Sequence, residues 1–192
     1  MCGRMVNQLS AEDWRDLFGL SVEPEPSEDL RPGEVVWVVR GSPPQAFLAV
    51  WGVQRGRLLI NARSETAAQK PSFAAAFRGG RCLVPVTGWW EWDAERVRHR
   101  IARSDGKPVV MAGLLVEERL VILTCDASPA LQPLHPRMPA IVPRRDWALW
   151  LGQASPDRHT ALLTPFPDKV FAVQAVPIAS KRDLLQQSGQ LF

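Results

Sequence analysis

A run of short strand-like segments fills the middle of the chain and limits the folds that are open to it. These segments cover residues 81–85, 88–92, 96–102, 109–115 and 120–125. Turn-forming residues such as Gly79-Gly80 and Glu117-Glu118 separate them, and Asp105-Gly106 is a hairpin signal. Consecutive short strands joined by tight turns favour antiparallel pairing. We therefore expect a mostly antiparallel sheet or barrel-like core.

The flanking segments predict further strands, with helices on the outside of the core. Ser10 to Asp13 has the form of a capping box and opens a helix that Gly19 is placed to end. Other expected helices cover residues 65–78, with an interruption at Pro71, and residues 145–151 and 157–163. Further expected strands are 35–39, 46–51, 58–62, 140–142 and 171–176.

Two polar segments are expected to lie outside the core. Residues 21–32 are rich in proline and acidic residues and are interpreted as a surface loop, and residues 182–187 are expected to dock loosely. No repeat and no sharp composition boundary divides the chain. The pattern is α+β, with residues 1–192 forming a single domain.

Composition argues against several classes of protein. The three cysteines, Cys2, Cys82 and Cys125, lie far apart without a C-x-x-C pair, which argues against a zinc site or a disulfide framework. No apolar run reaches the length of a membrane span, and no signal peptide is recognisable. We expect a cytoplasmic protein that is associated with the nucleoid if it is bacterial, with no metal, cofactor or membrane partner. The net charge of +3 is compatible with a phosphate-bearing partner.

The first four residues, Met1-Cys2-Gly3-Arg4, contain a possible nucleophile. Removal of Met1 would leave Cys2 with an amine and a thiol two carbons apart. Such an aminothiol condenses with an aldehyde to an imine and then to a five-membered thiazolidine, and each group is also a nucleophile alone. Taken alone, Cys2 is as easily explained as an accident of a frayed terminus.

Three later segments place polar residues beside predicted strand ends. In the first, Asn61 can orient a partner through its amide, and Arg63 offers a guanidinium for phosphate. Ser64 and Glu65 are interpreted as a helix cap and a favourable acid in the first helical turn.

The second segment, residues 88–92, places Glu91 among three tryptophans. Apolar surroundings would raise the pKa of Glu91 and suit it to general acid or base chemistry near neutral pH. Strand alternation supports the opposite interpretation equally well, with Glu91 pointing outward and Trp90 and Trp92 pointing inward.

The third segment is Leu134-His135-Pro136-Arg137-Met138-Pro139. The flanking prolines favour a stiff loop, which is a suitable place to hold an acid–base group such as His135. A loop histidine considered alone is more often simply exposed.

In their order along the chain, these motifs resemble the SRAP family, the SOS response-associated peptidases, which recognise and shield abasic sites in DNA. The resemblance is carried by an N-terminal C-G-R, W-G at Trp51, N-A-R-S-E-T from Asn61, G-W-W-E-W around Glu91 and H-P-R-M-P from His135. It is strongest over residues 1–150, and weak after Gly152.

The resemblance implies a covalent mechanism on single-stranded DNA. Cys2 would attack the ring-opened aldehyde of an abasic site and close a thiazolidine crosslink, which is lyase-like and self-processing chemistry. Asn61 would position the Cys2 amine or thiol, and Glu91 would take protons from the amine or stabilise its charged form. His135 would be the acid–base partner for opening the deoxyribose ring.

The resemblance also implies a set of DNA contacts. Arginines would contact the DNA backbone, and Trp51 and Pro32 would border the stacked bases. Met138 would either insert beside a base or pack within the protein, and Thr124 is a weaker candidate for a DNA contact. The full implied set is Gly3, Arg4, Pro32, Trp51, Arg63, Thr124, Arg137 and Met138. The chain departs from the family at residues 30–33 and in a short loop after Trp51-Gly52, which leaves its DNA affinity and junction preference open.

Two other functions remain open at this point. One is a thiol peptidase in which Cys2 attacks a peptide carbonyl, either of another protein or only of its own chain. The other is a noncatalytic module that binds single-stranded DNA. A monomer is expected for each of them.

Overall fold

The computed structural model of the protein describes residues 2–176, so that Met1 and the polar segment 182–187 lie outside the described residues. The strands are β1 (Met5–Asn7), β2 (Ser27–Leu30), β3 (Val35–Arg40), β4 (Gln45–Trp51), β5 (Val53–Arg55), β6 (Arg57–Leu59), β7 (Asn61–Arg63), β8 (Arg81–Val86), β9 (Gly88–Trp92), β10 (Arg98–Arg103), β11 (Val109–Val116), β12 (Arg119–Asp126), β13 (Arg137–Pro139) and β14 (Phe171–Val176). The α-helices are α1 (Ala11–Phe18), α2 (Ser64–Ala67), α3 (Ala74–Gly79), α4 (Trp147–Leu151) and α5 (Pro156–Thr160). Short 3-10 turns occupy Arg144–Asp146 and Asp168–Val170.

The larger sheet closes on itself. Its strands run in the order β11-β8-β3-β4-β12, and β11 also pairs with β12, which completes a ring of five strands. Every residue of β8 and β11 is buried, because helices and the second sheet cover the outside of the ring. The barrel-like, mostly antiparallel core predicted from the sequence is confirmed. The pairings of β12 with β4 and β7 are parallel.

The second sheet places the amino-terminal segment in its interior. Its order is β14-β10-β9-β1-β2, so β1 lies between β9 and β2. Neither β1 nor β2 was predicted, and the expectation of a loop over residues 21–32 is wrong for Ser27–Leu30. Both strands are very short and gain their hydrogen bonds from partners distant in sequence, so neither has a strong local pattern.

The first helix follows its local sequence closely. The side chain of Ser10 accepts a hydrogen bond from the backbone of Asp13, the Asp13 carboxylate accepts one from the backbone of Ser10, and Gly19 ends the helix at a φ of 68°. This confirms the capping box and the glycine stop. The helix buries Trp14, which contacts Phe18 and Trp37 through its ring.

Several local predictions differ from the structure. Asp105-Gly106 does form a turn, but it joins β10 of one sheet to β11 of the other and is not a hairpin. The strand expected at residues 140–142 lies instead at Arg137–Pro139. Ser64 does not cap α2, which has no side-chain capping bond. Within residues 2–176 no helix combines the length and the apolar character needed to cross a membrane.

Candidate active site

Cys2 is held inside the protein. It directly precedes β1, where Met5 pairs with Trp89, and the carbonyl of Arg4 accepts a hydrogen bond of 3.0 Å from the backbone N–H of Trp90. The Asn61 amide donates to the carbonyl oxygen of Cys2 at 2.9 Å, and the Cys2 side chain is fully buried. A frayed terminus would show none of these contacts, so Cys2 occupies a defined position.

The Cys2 thiol is kept in its neutral form. Burial raises its pKa well above the ordinary value of 9.0, and the neighbouring Glu91 carboxylate raises it further. Its Sγ atom lies 3.9 Å from the Arg4 carbonyl oxygen. Because the thiolate is the reactive form, attack by sulfur needs a base that accepts its proton.

Glu91 points into the protein. Strand β9 alternates, so Trp89 and Glu91 share one face while Trp90 and Trp92 share the other. Glu91 is 4% exposed and Trp92 is 38% exposed, so the outward interpretation of Glu91 is wrong. Trp90 is also buried, since its indole N–H donates to the carbonyl of Glu28 in β2.

The environment of Glu91 prepares it for proton transfer. Burial raises the pKa of its carboxyl, and the positive charge at the amino end of the chain acts in the opposite direction. A carboxyl group with a raised pKa can take up and release a proton nearer to neutral pH. The charge of Glu91 raises the pKa of the Cys2 thiol, so the protonation of the two groups is linked.

Asn61 joins the amino terminus to the closed sheet. It opens β7, which pairs in parallel with β12 through Ile122. Its Nδ2 atom donates to Cys2, while its Oδ1 atom is buried and has no hydrogen-bond partner within residues 2–176. That oxygen is an acceptor available to an N–H or O–H group beside Cys2.

His135 is fixed by its own loop. The backbone N–H of Arg137 donates to His135 Nδ1 at 2.9 Å, and the Arg137 carbonyl oxygen lies 3.1 Å from the same nitrogen. Because Nδ1 accepts a hydrogen bond, the proton of the neutral ring is assigned to Nε2. Burial lowers the pKa of His135, and the charge at the amino end of the chain lowers it further. The neutral imidazole therefore presents an Nε2–H donor.

The three arginines expected to contact DNA are in different situations. Arg4 donates to Asp29 at 2.7 Å and remains half-buried, and Arg63 is exposed. Arg137 is 11% exposed at its side chain and pairs with the carboxylates of Glu65 and Asp126. Only Arg63 therefore presents an exposed side chain to solvent.

Three further predicted DNA contacts lie inside the protein. Trp51 is fully buried, with its indole N–H donating to the carbonyl of Ile60, so a base has no access to its ring. Met138 and Thr124 are also buried, and the Thr124 hydroxyl donates to the carbonyl of Ala62 at 3.3 Å. In this conformation neither the Trp51 ring nor the Met138 side chain is accessible to a base, so their stacking and wedge contacts stay predictions, whereas packing of Met138 is observed. Gly3 and Pro32 are half-buried, and their predicted contacts stay predictions.

Sequence reasoning missed the carboxylates that hold these arginines. Asp29 was placed in a featureless acidic loop, Glu65 was interpreted as a favourable acid at a helix start, and Asp126 was not considered. The contact between Glu65 and Arg137 spans 72 residues, and no local pattern indicates such a distance. The position of Glu65 next to the N-A-R segment was the only available hint.

Comparison with known proteins agrees with this arrangement. The family described as SOS response associated peptidase (SRAP) matches residues 1–181, which extends beyond the range where the motifs are clearest. "Abasic site processing protein YobE" of Bacillus subtilis (strain 168) is 26% identical over 97% of this chain and 99% of its own length. "Abasic site processing protein YedK" of Escherichia coli (strain K12) is 29% identical over 80% of each chain.

Solved structures share the fold. A crystal structure of a protein from Bordetella bronchiseptica superposes with a TM-score of 0.80 at 25% identity, covering 92% of this chain and 100% of that chain. A protein from Bacteroides thetaiotaomicron gives a TM-score of 0.80 at 21% identity, covering 96% and 94% of the two chains. Since the family match covers nearly the whole sequence, the chain belongs to the SOS response associated peptidase (SRAP) family.

Proposed function

We propose that this protein recognises abasic sites in single-stranded DNA and forms a covalent crosslink with them through Cys2 after removal of Met1. Family membership and the names of the two relatives support abasic-site processing. The observation that carries the covalent mechanism is the position of Cys2, which is bonded to Asn61 and lies beside the buried carboxyl of Glu91.

The chemistry needs both functional groups of Cys2. The free α-amine adds to the C1′ aldehyde of the ring-opened abasic sugar, and loss of water gives an imine. The thiol then adds to the imine carbon, its proton passes to the nitrogen, and a thiazolidine ring closes. An α-amino group of pKa ~7.7–8.0 is partly neutral at cellular pH, so only a modest change in protonation is needed.

The surrounding residues divide this chemistry between them. Glu91 accepts the proton of the ammonium or the thiol and returns it to the nitrogen as the ring closes. The free acceptor Oδ1 of Asn61 orients the amine N–H. His135, whose neutral ring carries a proton on Nε2, donates to the sugar oxygen as the deoxyribose ring opens.

DNA binding in this proposal rests on exposed and half-buried groups around the site. Arg63 and Arg4 contact phosphates, with Arg137 placed next to them, and Gly3 and Pro32 border the bound strand. Such a protein acts where the DNA is, which in a bacterium means the cytoplasm and the nucleoid. The residues proposed for this chemistry require neither a metal nor a cofactor.

A denaturing gel tests the proposal. Protein with Met1 removed is incubated with single-stranded DNA that carries one abasic site, and we expect a shifted band that withstands denaturation. Cys2→Ala should abolish the band, whereas Cys82→Ala, which truncates another fully buried cysteine, should keep it. A processed wild-type protein that gives no band would refute the proposal. A band that survives Cys2→Ala would come from an imine of the α-amine or of a lysine, and would exclude the thiazolidine.

A second variant separates the amine from the thiol. Cys2→Ser retains the amine but removes sulfur, so we expect an imine that is trapped only when borohydride is added. Blocking the α-amine by acetylation should prevent both products. A stable crosslink from the acetylated protein would contradict the need for the amine.

The family description keeps a peptidase function as the alternative. In that mechanism the Cys2 thiolate attacks a peptide carbonyl, and the buried, neutral thiol of this structure makes that step harder. Cleavage of a peptide panel without any DNA adduct would favour the peptidase. Reversible DNA binding without an adduct or cleavage would identify a noncatalytic module.

A further inference from the structure

Arg137 makes contacts through both of its Nη atoms at the edge of the candidate site, while its buried Nε has no hydrogen-bond partner within residues 2–176. Its two Nη atoms donate to both oxygens of Glu65 at 2.7 and 2.8 Å, to Asp126 at 2.5 Å and to the carbonyl of Thr124 at 2.5 Å. A guanidinium has four N–H groups on its Nη atoms, so these contacts use all four. We call Glu65, Arg137 and Asp126 the arginine clamp.

The clamp joins three elements of the fold at one point. Glu65 lies in the first turn of α2, Asp126 ends β12 and Arg137 begins β13. The pairing of Asp126 with Arg137 across the two strands places their side chains next to each other, and the Ala127 N–H donates to the Pro136 carbonyl at 2.9 Å beside this pair. A bidentate contact with a carboxylate fixes the orientation of the guanidinium plane as well as its distance from the carboxylate. The backbone of Arg137 is therefore held from several directions.

That same backbone sets the protonation of His135. The Arg137 N–H donates to His135 Nδ1, which leaves the ring proton on Nε2 in the neutral form. When the ring becomes charged, Nδ1 carries a proton and the Arg137 carbonyl at 3.1 Å can accept it. A shift of the Arg137 backbone would remove both contacts and leave the choice of tautomer open.

We propose that the arginine clamp is a positioning device that fixes the orientation and tautomer of His135. Glu65 and Asp126 act through Arg137, and none of the three needs to touch the reacting atoms. The part of this inference that concerns catalysis rests on the proposed crosslinking function, while the part that concerns the imidazole does not.

The clamp also changes what is expected of Arg137 as a DNA contact. Its Nη donors are occupied by carboxylates, so a phosphate would have to displace Glu65 or Asp126 to reach them. Removing a carboxylate therefore gives opposite results for the two roles. Loss of positioning slows chemistry, whereas loss of a competitor for phosphate tightens DNA binding.

The test uses Glu65→Gln in the full-length protein, with Glu118→Gln as the matched control. Both changes remove one carboxylate from an arginine pair, because Glu118 pairs with Arg40 at 2.7 Å away from the clamp. Nitrogen NMR of the imidazoles reads the tautomer directly, and the chain has only three histidines, so His135→Gln assigns the signal. Crosslinking rate and DNA affinity are measured on the same proteins, the affinity in a Cys2→Ala background.

In Glu65→Gln we expect a mixture of His135 tautomers and a crosslinking rate lowered by about tenfold or more, because small displacements of a reacting group are costly. DNA affinity should change by less than about twofold, as for an ordinary surface substitution. Glu118→Gln should leave the tautomer and the rate unchanged. Asp126→Asn provides a second, milder variant, and thermal melting confirms that each protein is folded.

Two results would overturn the inference. One is a single unchanged Nε2–H tautomer in Glu65→Gln together with an unchanged crosslinking rate. The other is tighter DNA binding with an unchanged tautomer, which would make the carboxylates mere competitors for phosphate. If wild type forms no crosslink at all, the proposed function fails, but the NMR result still decides whether the clamp positions His135.

Discussion

Two arginines, the buried Arg81 and the mostly buried Arg137, hold their surroundings together with different partners. Arg81 is 5% exposed and donates to carbonyl oxygens alone, with Trp150 and Gly152 each accepting at 2.7 Å. Its Nη1 atom donates to the carbonyls of Phe77 and Arg78. Arg137 instead pairs with two carboxylates beside the candidate site.

The partners explain the opposite pKa shifts of the two guanidinium groups. Burial lowers the pKa of Arg81. Burial would also lower that of Arg137, but the hydrogen bond and charge of Glu65 outweigh it and the pKa is raised. The carbonyls around Arg81 belong to the last turns of α3 and α4, where the helix dipole is negative. The hydrogen-bond partners of Arg81 are thus carbonyls, which carry no titratable proton, whereas the partners of Arg137 include two carboxylates that titrate.

The largest effect should come from breaking the hydrogen bonds of Arg81. Arg81→Met leaves four carbonyls, two of them buried, without this donor, and we expect a loss of about 3–5 kcal/mol in the free energy of unfolding. Urea unfolding followed by tryptophan fluorescence measures it. Arg78→Met, at an exposed neighbouring position, should stay within about 0.5 kcal/mol. A loss below about 1 kcal/mol for Arg81→Met would show that water replaces the guanidinium without cost.

Arg137→Met should cost less, about 1–3 kcal/mol near neutral pH, and its cost should depend on pH. Burial alone would raise the pKa of Glu65, but the hydrogen bond from Arg137 outweighs it and the pKa falls below its ordinary value of 4.5. Because the folded state lowers the pKa of Glu65, its carboxylate stabilises the protein at pH values above its pKa in the unfolded state. This stabilisation is lost as the pH falls through the pKa of Glu65 in the folded state. The cost of Arg137→Met should therefore shrink in acid.

The same pH series on Arg81→Met is the control for this comparison. Its carbonyl partners carry no proton to gain, but burial and the charge of Arg81 lower the pKa of His159. The cost of that variant should therefore shrink only as His159 takes up its proton, and not with the titration of Glu65. If the losses in the free energy of unfolding for Arg81→Met and Arg137→Met changed with pH in the same way, the distinction between the two arginines would be removed.

Glu91→Gln extends the comparison to a buried acid and should stabilise the protein at neutral pH. Burial raises the pKa of Glu91, so the folded state binds this proton more tightly than the unfolded state. The stability contributed by protonation of Glu91 is complete below the pKa that Glu91 has in the unfolded state. It is lost as the pH rises through the pKa of Glu91 in the folded state. Melting curves of wild type and variant should converge in acid and separate above that range. A variant less stable at neutral pH would contradict this sign.

The same variant should lose most of its crosslinking activity. Removal of a general acid–base group costs about 10²–10⁴-fold in rate. We expect Glu91→Ala and Glu91→Gln to slow crosslinking far more than they weaken DNA binding. Equal losses in both would make Glu91 a binding residue.

The smallest effect on the free energy of unfolding is expected for an arginine–glutamate ion pair that is exposed to solvent. Arg40 and Glu118 form a contact of 2.7 Å, but the Glu118 side chain is largely exposed. Glu118→Gln should change the free energy of unfolding by no more than about 0.5 kcal/mol. A larger loss would show that exposure does not separate this pair from the Arg137 cluster.

Local patterns predicted the central strands and the cap at Ser10, because strand alternation and turn residues act over a few neighbours. They could not predict that β1 enters between β9 and β2, since that depends on hydrogen bonds across the whole first half of the chain. For the same reason, the sequence could not predict whether Glu91 points into the protein or into solvent. A sheet packed against β9, and not the alternation itself, decides which side is buried.

The candidate site shows the same limit. Asn61, Glu91 and His135 could be singled out because each lies in a compact motif next to a strand. The family resemblance implies that Trp51 lies at the DNA, yet its indole N–H donates to the carbonyl of Ile60 and its ring is fully buried. The three residues of the arginine clamp come from three separate elements, so only tertiary structure brings them together.

The insertion of β1 between β9 and β2 also has a consequence for biosynthesis. About 80 residues separate β1 from β9, and β1 cannot be enclosed until β9 has been made. At about 5–20 residues per second, the ribosome needs roughly 4–16 s for that stretch. During this interval the nascent amino terminus is open to the aminopeptidase that the proposed chemistry requires, and afterwards Cys2 is enclosed. The timing of translation would thus decide what fraction of the protein becomes reactive.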